Sequence, residues 1–402
     1  MNNLLNEKTE IIIFGCGNTT REFLSDYGDR LNITAFWSND IKEKEFSLGD
    51  GKKFEVVRPI SNNMQNTGNR LITICSIAIG EISEQLMMLG YIPFKDFIDV
   101  NIARLILSKK SIALMFGACH LRAVKDALLT SKAFSEKYEA FFLPNYMWLS
   151  AYDSLRLGFL AENCDLFIYG ISAEPFNYRK NKALLERIDK NACSIALPII
   201  CFGGYFPQID RPYNRMNRYA VKCEGQDYTP FSYEDSYINK CIDDGDSVEE
   251  IIRKISNYEV YDIAYITQML EYEWNRIGFQ EMETEIKVLE YLRDNYQKRR
   301  LFRNEAHMET EVIYHYARQI VEYLEIQPDF NKRTETFFYC SQHPVYGCTV
   351  KALGLEWDVE EELLDLYTYE GWKKVTREEF INAYVESASK IKELKAKGLL
   401  PR

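Results

Sequence analysis

None of the ten cysteines in this 402-residue chain stands in a CxxC pair, so the ligand spacing of a zinc ribbon and the redox motif of thioredoxin-like proteins are missing, and no metal site is expected. No apolar run approaches the roughly 20 residues of a membrane span, and the opening MNNLLNEKTE lacks the apolar core of an export signal. The thiols are therefore expected to be reduced and the protein cytoplasmic. Positive charge is short as well. A formal net charge of -11 argues against nucleic acid or an anionic membrane as a main partner. Histidine is scarce, with only His120, His307, His315 and His343. No repeat or low-complexity segment stands out. What remains is an ordinary soluble composition, 46% apolar and 27% charged, long enough for two domains and with room for a third.

The most informative stretch is Ser111 to Thr130, SIALMFGACHLRAVKDALLT. Ile112 to Phe116 reads as a strand buried on both faces. Gly117 and Ala118 allow a tight turn, and Leu121, Val124, Leu128 and Leu129 then recur at helical spacing. Strand, turn and helix place Cys119 and His120 at the carboxyl end of a strand, where open α/β sheets bind ligands. Cys119 also falls at a helix N-terminus, which favours a thiolate and a developing oxyanion.

Upstream, EIIIF at Glu10 to Phe14 leads into Gly15-Cys16-Gly17-Asn18-Thr19-Thr20 and a helix-like REFLSDYGD. A second strand, Ile33 to Trp37, ends at Ser38-Asn39-Asp40. This is the opening of a Rossmann-type unit with an acid near the ribose position, although Thr20 replaces the third glycine of the fingerprint. LITICSIA, EISEQLMMLGY and Phe94 to Val100 continue the alternation. The expected division is a Rossmann-like domain over residues 1–108 and a second α/β domain over residues 109–402. IIIFGCGNTTREFL and AFWSND resemble the small nucleotide- or sugar-nucleotide-binding domains that begin some bacterial sugar-modifying enzymes. That resemblance assigns Gly15, Gly17, Asn18 and Asp40 to a nucleotide loop.

The second domain continues with strands at Ala140 to Pro144, Asp165 to Tyr169 and Ser194 to Phe202, implying a parallel sheet carrying helices. From Asp235 the pattern is mostly helical, including one long stretch from ITQMLEYEWNRIGF to NYQKRR. VTREEFINAYVESASKIKELKAKG reads as a closing helix with a Thr376–Glu379 capping box. His307 stands just before a helix, where Asn304 or Glu305 could fix its tautomer. A nucleophile, a base within reach and a group orienting that base are the parts nucleophilic catalysis needs. His315 reads as packing or surface, and His343, before Pro344, as a turn residue.

Gly117-Ala118-Cys119-His120, CFGGYFPQI from Cys201, RNEAHMETEVIYHYARQI from Arg303 and HPVYGCTVKALGL from His343 together resemble the WcbI-type polysaccharide-biosynthesis enzymes, in order, over about residues 110 to 360. The resemblance implies a coenzyme-A-dependent O-acetyltransferase acting on a sugar of capsule or other surface polysaccharide. Ala118 departs from the family's Asn, and Met308 from its Pro. The layout also parallels SGNH-type esterases, on which analogy Cys119 is the nucleophile, His307 the base and Asn304 its orienter. The Gly117 to His120 turn and the Ser172 loop would then stabilise an oxyanion. Direct attack of a sugar hydroxyl deprotonated by His307 is the alternative. Coenzyme A and acetyl-CoA would meet Tyr205, Gln208 and the basic Arg179, Arg211, Arg215 and Arg218, since Arg suits phosphate. A glycan esterase and a non-catalytic binding protein stay open, as do the acceptor sugar and a homo-oligomeric state.

Overall fold

The computed structural model describes residues 4–6, 8–40, 44–49, 51–60, 69–145, 149–171, 181–209, 221–223, 226–228, 231, 233–257, 260–338, 340–368 and 371–397. It is a mixed α/β protein with parallel sheets and many helices. Among the described residues no helix is long and apolar enough to cross a membrane. The chain forms two compact units. The first takes Met1–Ala118, Lys132–Tyr169 and Pro175–Ile195, and the second Cys119–Ser131, Gly170–Glu174 and Ala196–Arg402.

In the first unit, β1 (Glu10–Phe14), α1 (Asn18–Tyr27) and β2 (Asn32–Trp37) form a parallel pair joined by a helix. After β3 (Glu45–Ser47) and β4 (Lys53–Val57) come β5 (Arg70–Ile74), α2 (Ile79–Met88) and β6 (Phe97–Asp99). The strand order is β3-β4-β2-β1-β5-β6, parallel except for the β3–β4 hairpin. Ile11, Ile12, Ile13 and Phe14 are all buried because both faces of β1 are covered. Gly15 is required at the turn: its φ is +130°, and a Cβ there would lie 2.3 Å from the Cys75 carbonyl oxygen. That carbonyl instead accepts from Thr20 Oγ1 at 3.1 Å. Thr20, standing where the fingerprint has glycine, thus ties α1 to the end of β5.

Helix α3 (Val100–Ser108) is capped by Asp99, which accepts from the Asn101 and Ile102 amides. The fully buried Asp99 also accepts from Tyr152 Oη at 2.8 Å and pairs with Arg156 at 3.4 Å. Residues 108 and 109 both fall in the first unit. The second sheet begins with β7 (Ser111–Gly117) and runs through α4 (Cys119–Leu128), α5 (Lys132–Lys137), β8 (Tyr138–Pro144), α6 (Ala151–Ala161), β9 (Leu166–Ile171) and β10 (Cys193–Pro198), in the order β10-β9-β7-β8. Strand β7 is parallel to both neighbours and buried along almost its whole length.

In the second unit, α4 packs on the helix Thr310–Tyr323. Two short hairpins, Phe302–Asn304 with His307–Met308 and Leu364–Thr368 with Gly371–Val375, lie among the helices. The long helical stretch expected from residue 266 is broken. One helix ends at Glu281 and the next begins at Leu289. Between the two helices the residues bond to β10: Glu285 Oε2 accepts from the Ala196 amide at 2.6 Å, and the Ile286 amide donates to the Ala196 carbonyl at 3.3 Å. Glu281 then accepts from the Leu289 amide at 2.7 Å, starting the second helix. The Thr376–Glu379 capping box forms as expected.

Candidate active site

Strand β7 ends at Gly117, whose carbonyl accepts from the Asn145 amide at 3.0 Å. Ala118 makes the turn, and α4 starts at Cys119. The Phe302–Asn304 and His307–Met308 hairpin brings the second half of the site, with Asn304 and His307 paired in register. Cys119 Sγ lies 3.6 Å from His307 Nε2. A sequence separation of 188 residues is closed to hydrogen-bond reach.

Hydrogen bonds determine which histidine nitrogen carries the proton. Asn304 Oδ1 accepts from the Ala306 amide at 3.1 Å, and Asn304 Nδ2 donates to the Ser341 carbonyl at 3.3 Å and approaches Cys340 Sγ at 3.4 Å. These partners fix the amide with its oxygen toward His307. His307 Nδ1, 2.9 Å from that oxygen, must therefore donate. The Nε2 lone pair is left facing Cys119. Asn304 is buried, so it holds this geometry away from water. The ring of Phe338 lies 4.6 Å and that of Tyr233 6.0 Å from the His307 ring.

The sulfur is not the ready thiolate that a helix N-terminus suggests. Burial pushes the Cys119 thiol up to about 12, with neighbouring Cys201 and Cys340 adding to the effect; the backbone N–H groups of His120 and Cys119 oppose it. Burial thus favours the protonated thiol, with His307 Nε2 3.6 Å from the sulfur. Desolvation at this partly enclosed site outweighs the backbone N–H groups that favour the thiolate.

The other candidates are distributed as follows. His120 is buried and its Nε2 lies 2.7 Å from the Ala306 carbonyl. Tyr205 and Gln208 are fully buried and committed to interior partners: Tyr205 Oη donates to the Tyr296 carbonyl at 2.6 Å, and Gln208 Nε2 to the Pro344 carbonyl at 3.1 Å. Ser172, Arg179, Arg211, Arg215 and Arg218 lie outside the described residues. Gly15, Gly17 and Asn18 follow the end of β1, and the exposed Asp40 follows the end of the adjacent β2, its amide held by Ser38 Oγ. His315 stacks on Tyr291 at 4.0 Å between ring centroids. His343 is no turn residue at the surface: it is fully buried between the rings of Phe206, Tyr233 and Phe380, and burial lowers it to about 3.

Sequence reasoning missed the supports. Arg303, beside Asn304, is fully buried and pairs with Asp365 at 2.9 Å and Glu309 at 3.4 Å while donating to the Cys340 carbonyl. Phe338, Tyr233 and Cys340 carried no signal, since none of them stands in a quoted motif.

The family described as polysaccharide biosynthesis enzyme WcbI matches residues 112–329, which contain Cys119, Asn304 and His307. A solved structure of WcbI, described as a novel polysaccharide biosynthesis enzyme in its native form without a disulfide bond between coenzyme A and a cysteine, is similar to this chain at 15% identity and a TM-score of 0.56. The similarity covers 72% of this chain and 93% of that one. No curated protein matches. The family match takes in more than half of the 402 residues, and the chain belongs to the WcbI family of polysaccharide biosynthesis enzymes.

Proposed function

We propose that this protein transfers an acetyl group from acetyl-CoA to a sugar hydroxyl during the synthesis of surface polysaccharide, with Cys119 as nucleophile, His307 as base and Asn304 as the group that orients the base. The observation that carries the reading is the proton arrangement: His307 donates through Nδ1 to Asn304 Oδ1 and presents Nε2 to the Cys119 thiol. A thiol held protonated by burial needs such a base at the moment of attack. Coenzyme A enters from the WcbI relative, whose description names a disulfide bond between coenzyme A and a cysteine near the start of that chain as the bond its native form lacks; Cys119 stands near the start of the matched segment.

In the first step the Cys119 thiol proton passes to His307 Nε2 as Sγ bonds to the thioester carbon. The backbone N–H groups at the start of α4 face the developing charge. The carbon–sulfur bond to coenzyme A breaks, and the leaving thiolate takes the proton back from His307. In the second step the sugar hydroxyl gives its proton to His307 and attacks the acetyl-cysteine. Cys119 leaves and is reprotonated. Arg179, Arg211, Arg215 and Arg218 suit the phosphates of coenzyme A on chemical grounds. The parallel β1–α1–β2 unit, with Gly15 in its required turn, supports a Rossmann-like N-terminal domain taking a nucleotide or sugar nucleotide at Gly17, Asn18 and Asp40. Cytosolic acetyl-CoA would be the donor pool.

The test is incubation with acetyl-CoA, acid quench and mass analysis of the Cys119 peptide, beside calorimetric titration with coenzyme A. Coenzyme A binding and one acetyl group on Cys119, lost in Cys119→Ala, are expected. Acceptor transfer that survives Cys119→Ala would assign the chemistry to direct attack through His307. Folded protein with no affinity for coenzyme A would sink the transferase and favour an esterase.

A further inference from the structure

We propose that His120 is a positioning residue, whose single hydrogen bond to the Ala306 carbonyl sets the reach of His307 to Cys119. The inference rests on the reading of Cys119 and His307 as nucleophile and base.

His120 follows Cys119 directly, and Ala306 directly precedes His307. The His120 Nε2 to Ala306 carbonyl distance of 2.7 Å therefore joins the two halves of the dyad one residue behind the reacting atoms. A carbonyl only accepts, so Nε2 carries the proton and Nδ1 does not. Nδ1 is buried and has no partner among the described residues. Leaving that nitrogen dry and unmatched costs free energy that an apolar side chain would not incur. The one bond the ring does make is thus its distinguishing contribution. Loss of water around the ring lowers His120 to about 4, so at neutral pH it is a fixed neutral donor.

The opposite end of Ala306 is held too, since its amide donates to Asn304 Oδ1 at 3.1 Å. Asn304 and His120 thus pin the amide and the carbonyl of the same residue, and the turn that aims His307 has little freedom left. Phe338 closes the arrangement, its ring centroid 4.6 Å from His307 and 6.3 Å from His120. At 3.6 Å the Cys119–His307 contact has little slack, and a small drift of the turn would break it.

The experiment uses iodoacetamide on the full chain and reads the alkylation rate of the Cys119 peptide by mass spectrometry. The buried Cys241 and Cys348 report global opening. A cycle of His307→Ala, His120→Leu and the double variant measures coupling. His307→Ala and His120→Leu should each slow Cys119 alkylation by about 10²-fold, the low end for the loss of a positioned base, and the double variant should be no slower than either. His120→Gln, whose amide reaches as far as Nε2, should recover most of the rate, while the shorter His120→Asn should not. Should His120→Leu expose Cys241 and Cys348, the comparison of Gln with Asn decides. Additive losses, or a His120 series that leaves Cys119 unchanged while His307→Ala slows it, would overturn the positioning role and leave the dyad standing. No effect of His307→Ala would remove the nucleophile–base reading, and this inference with it.

Discussion

Asn304 Oδ1 lies 2.9 Å from His307 Nδ1 and also accepts from the Ala306 amide at 3.1 Å; the side chain that selects the tautomer also builds the turn that carries the histidine. Asn304→Ala should therefore act on both. Acetyl-cysteine formation is expected to fall by about 10²-fold, within the range of a misoriented base, with coenzyme A affinity nearly unchanged. Single-turnover kinetics beside calorimetry separate the two. An equal loss in both would show that Asn304 supports the fold rather than the chemistry.

The buried histidines predict an acid limb. His120 is lowered to about 4 and His343 to about 3 by loss of water around each ring, against an ordinary 6.5. The unfolded chain then binds more protons than the folded one between these values. Stability is fully present above pH 6.5 and falls as pH drops toward 4 and then 3. Urea unfolding followed from pH 7 to 4 should show it, and His343→Leu, which removes a titrating ring without removing any described hydrogen bond, should flatten the slope.

An alkaline limb follows from the thiols. Burial raises Cys119 to about 12 and Cys340 to about 11 from an ordinary 9.0. For these groups the folded state keeps the proton longer, so their contribution is fully present below pH 9 and is lost as pH rises through 11 and 12. Cys340→Ser is expected to weaken the decline between pH 9 and 11 in thermal unfolding, and an unchanged decline would assign it to other groups.

Gly15→Ala tests the first unit. A left-sided φ of +130° and a Cβ 2.3 Å from the Cys75 carbonyl oxygen should cost about 3 kcal/mol, read as a lower urea midpoint at constant slope. Gly17→Ala, where a Cβ meets nothing within 4 Å, should cost well under half of that.

The buried strands were legible because apolar runs such as EIIIF and IALMF between turn residues have few other uses. The nearness of Cys119 and His307 was legible mainly through the histidine: of only four in the chain, His307 alone followed an Asn by three residues just before a helix. What escaped was everything whose meaning depends on tertiary company. Arg303, quoted only as the start of a motif, shows its role when Asp365 and Glu309 close on it. His343 reads as a turn until Phe206 and Phe380 enclose it. The long helix from residue 266 is broken where Glu285 and Ile286 bond to Ala196 of β10, a tertiary contact that no local pattern announces.

That last exchange reaches beyond the helix. Strand β10 ends the sheet order, and a terminal strand is where a foreign chain can add itself. The amide and carbonyl of Ala196 are both already taken, by Glu285 and Ile286. At Ala196 a newcomer would have to displace a carboxylate and a backbone bond at once, so residues between the two helices blunt that point of the sheet's border.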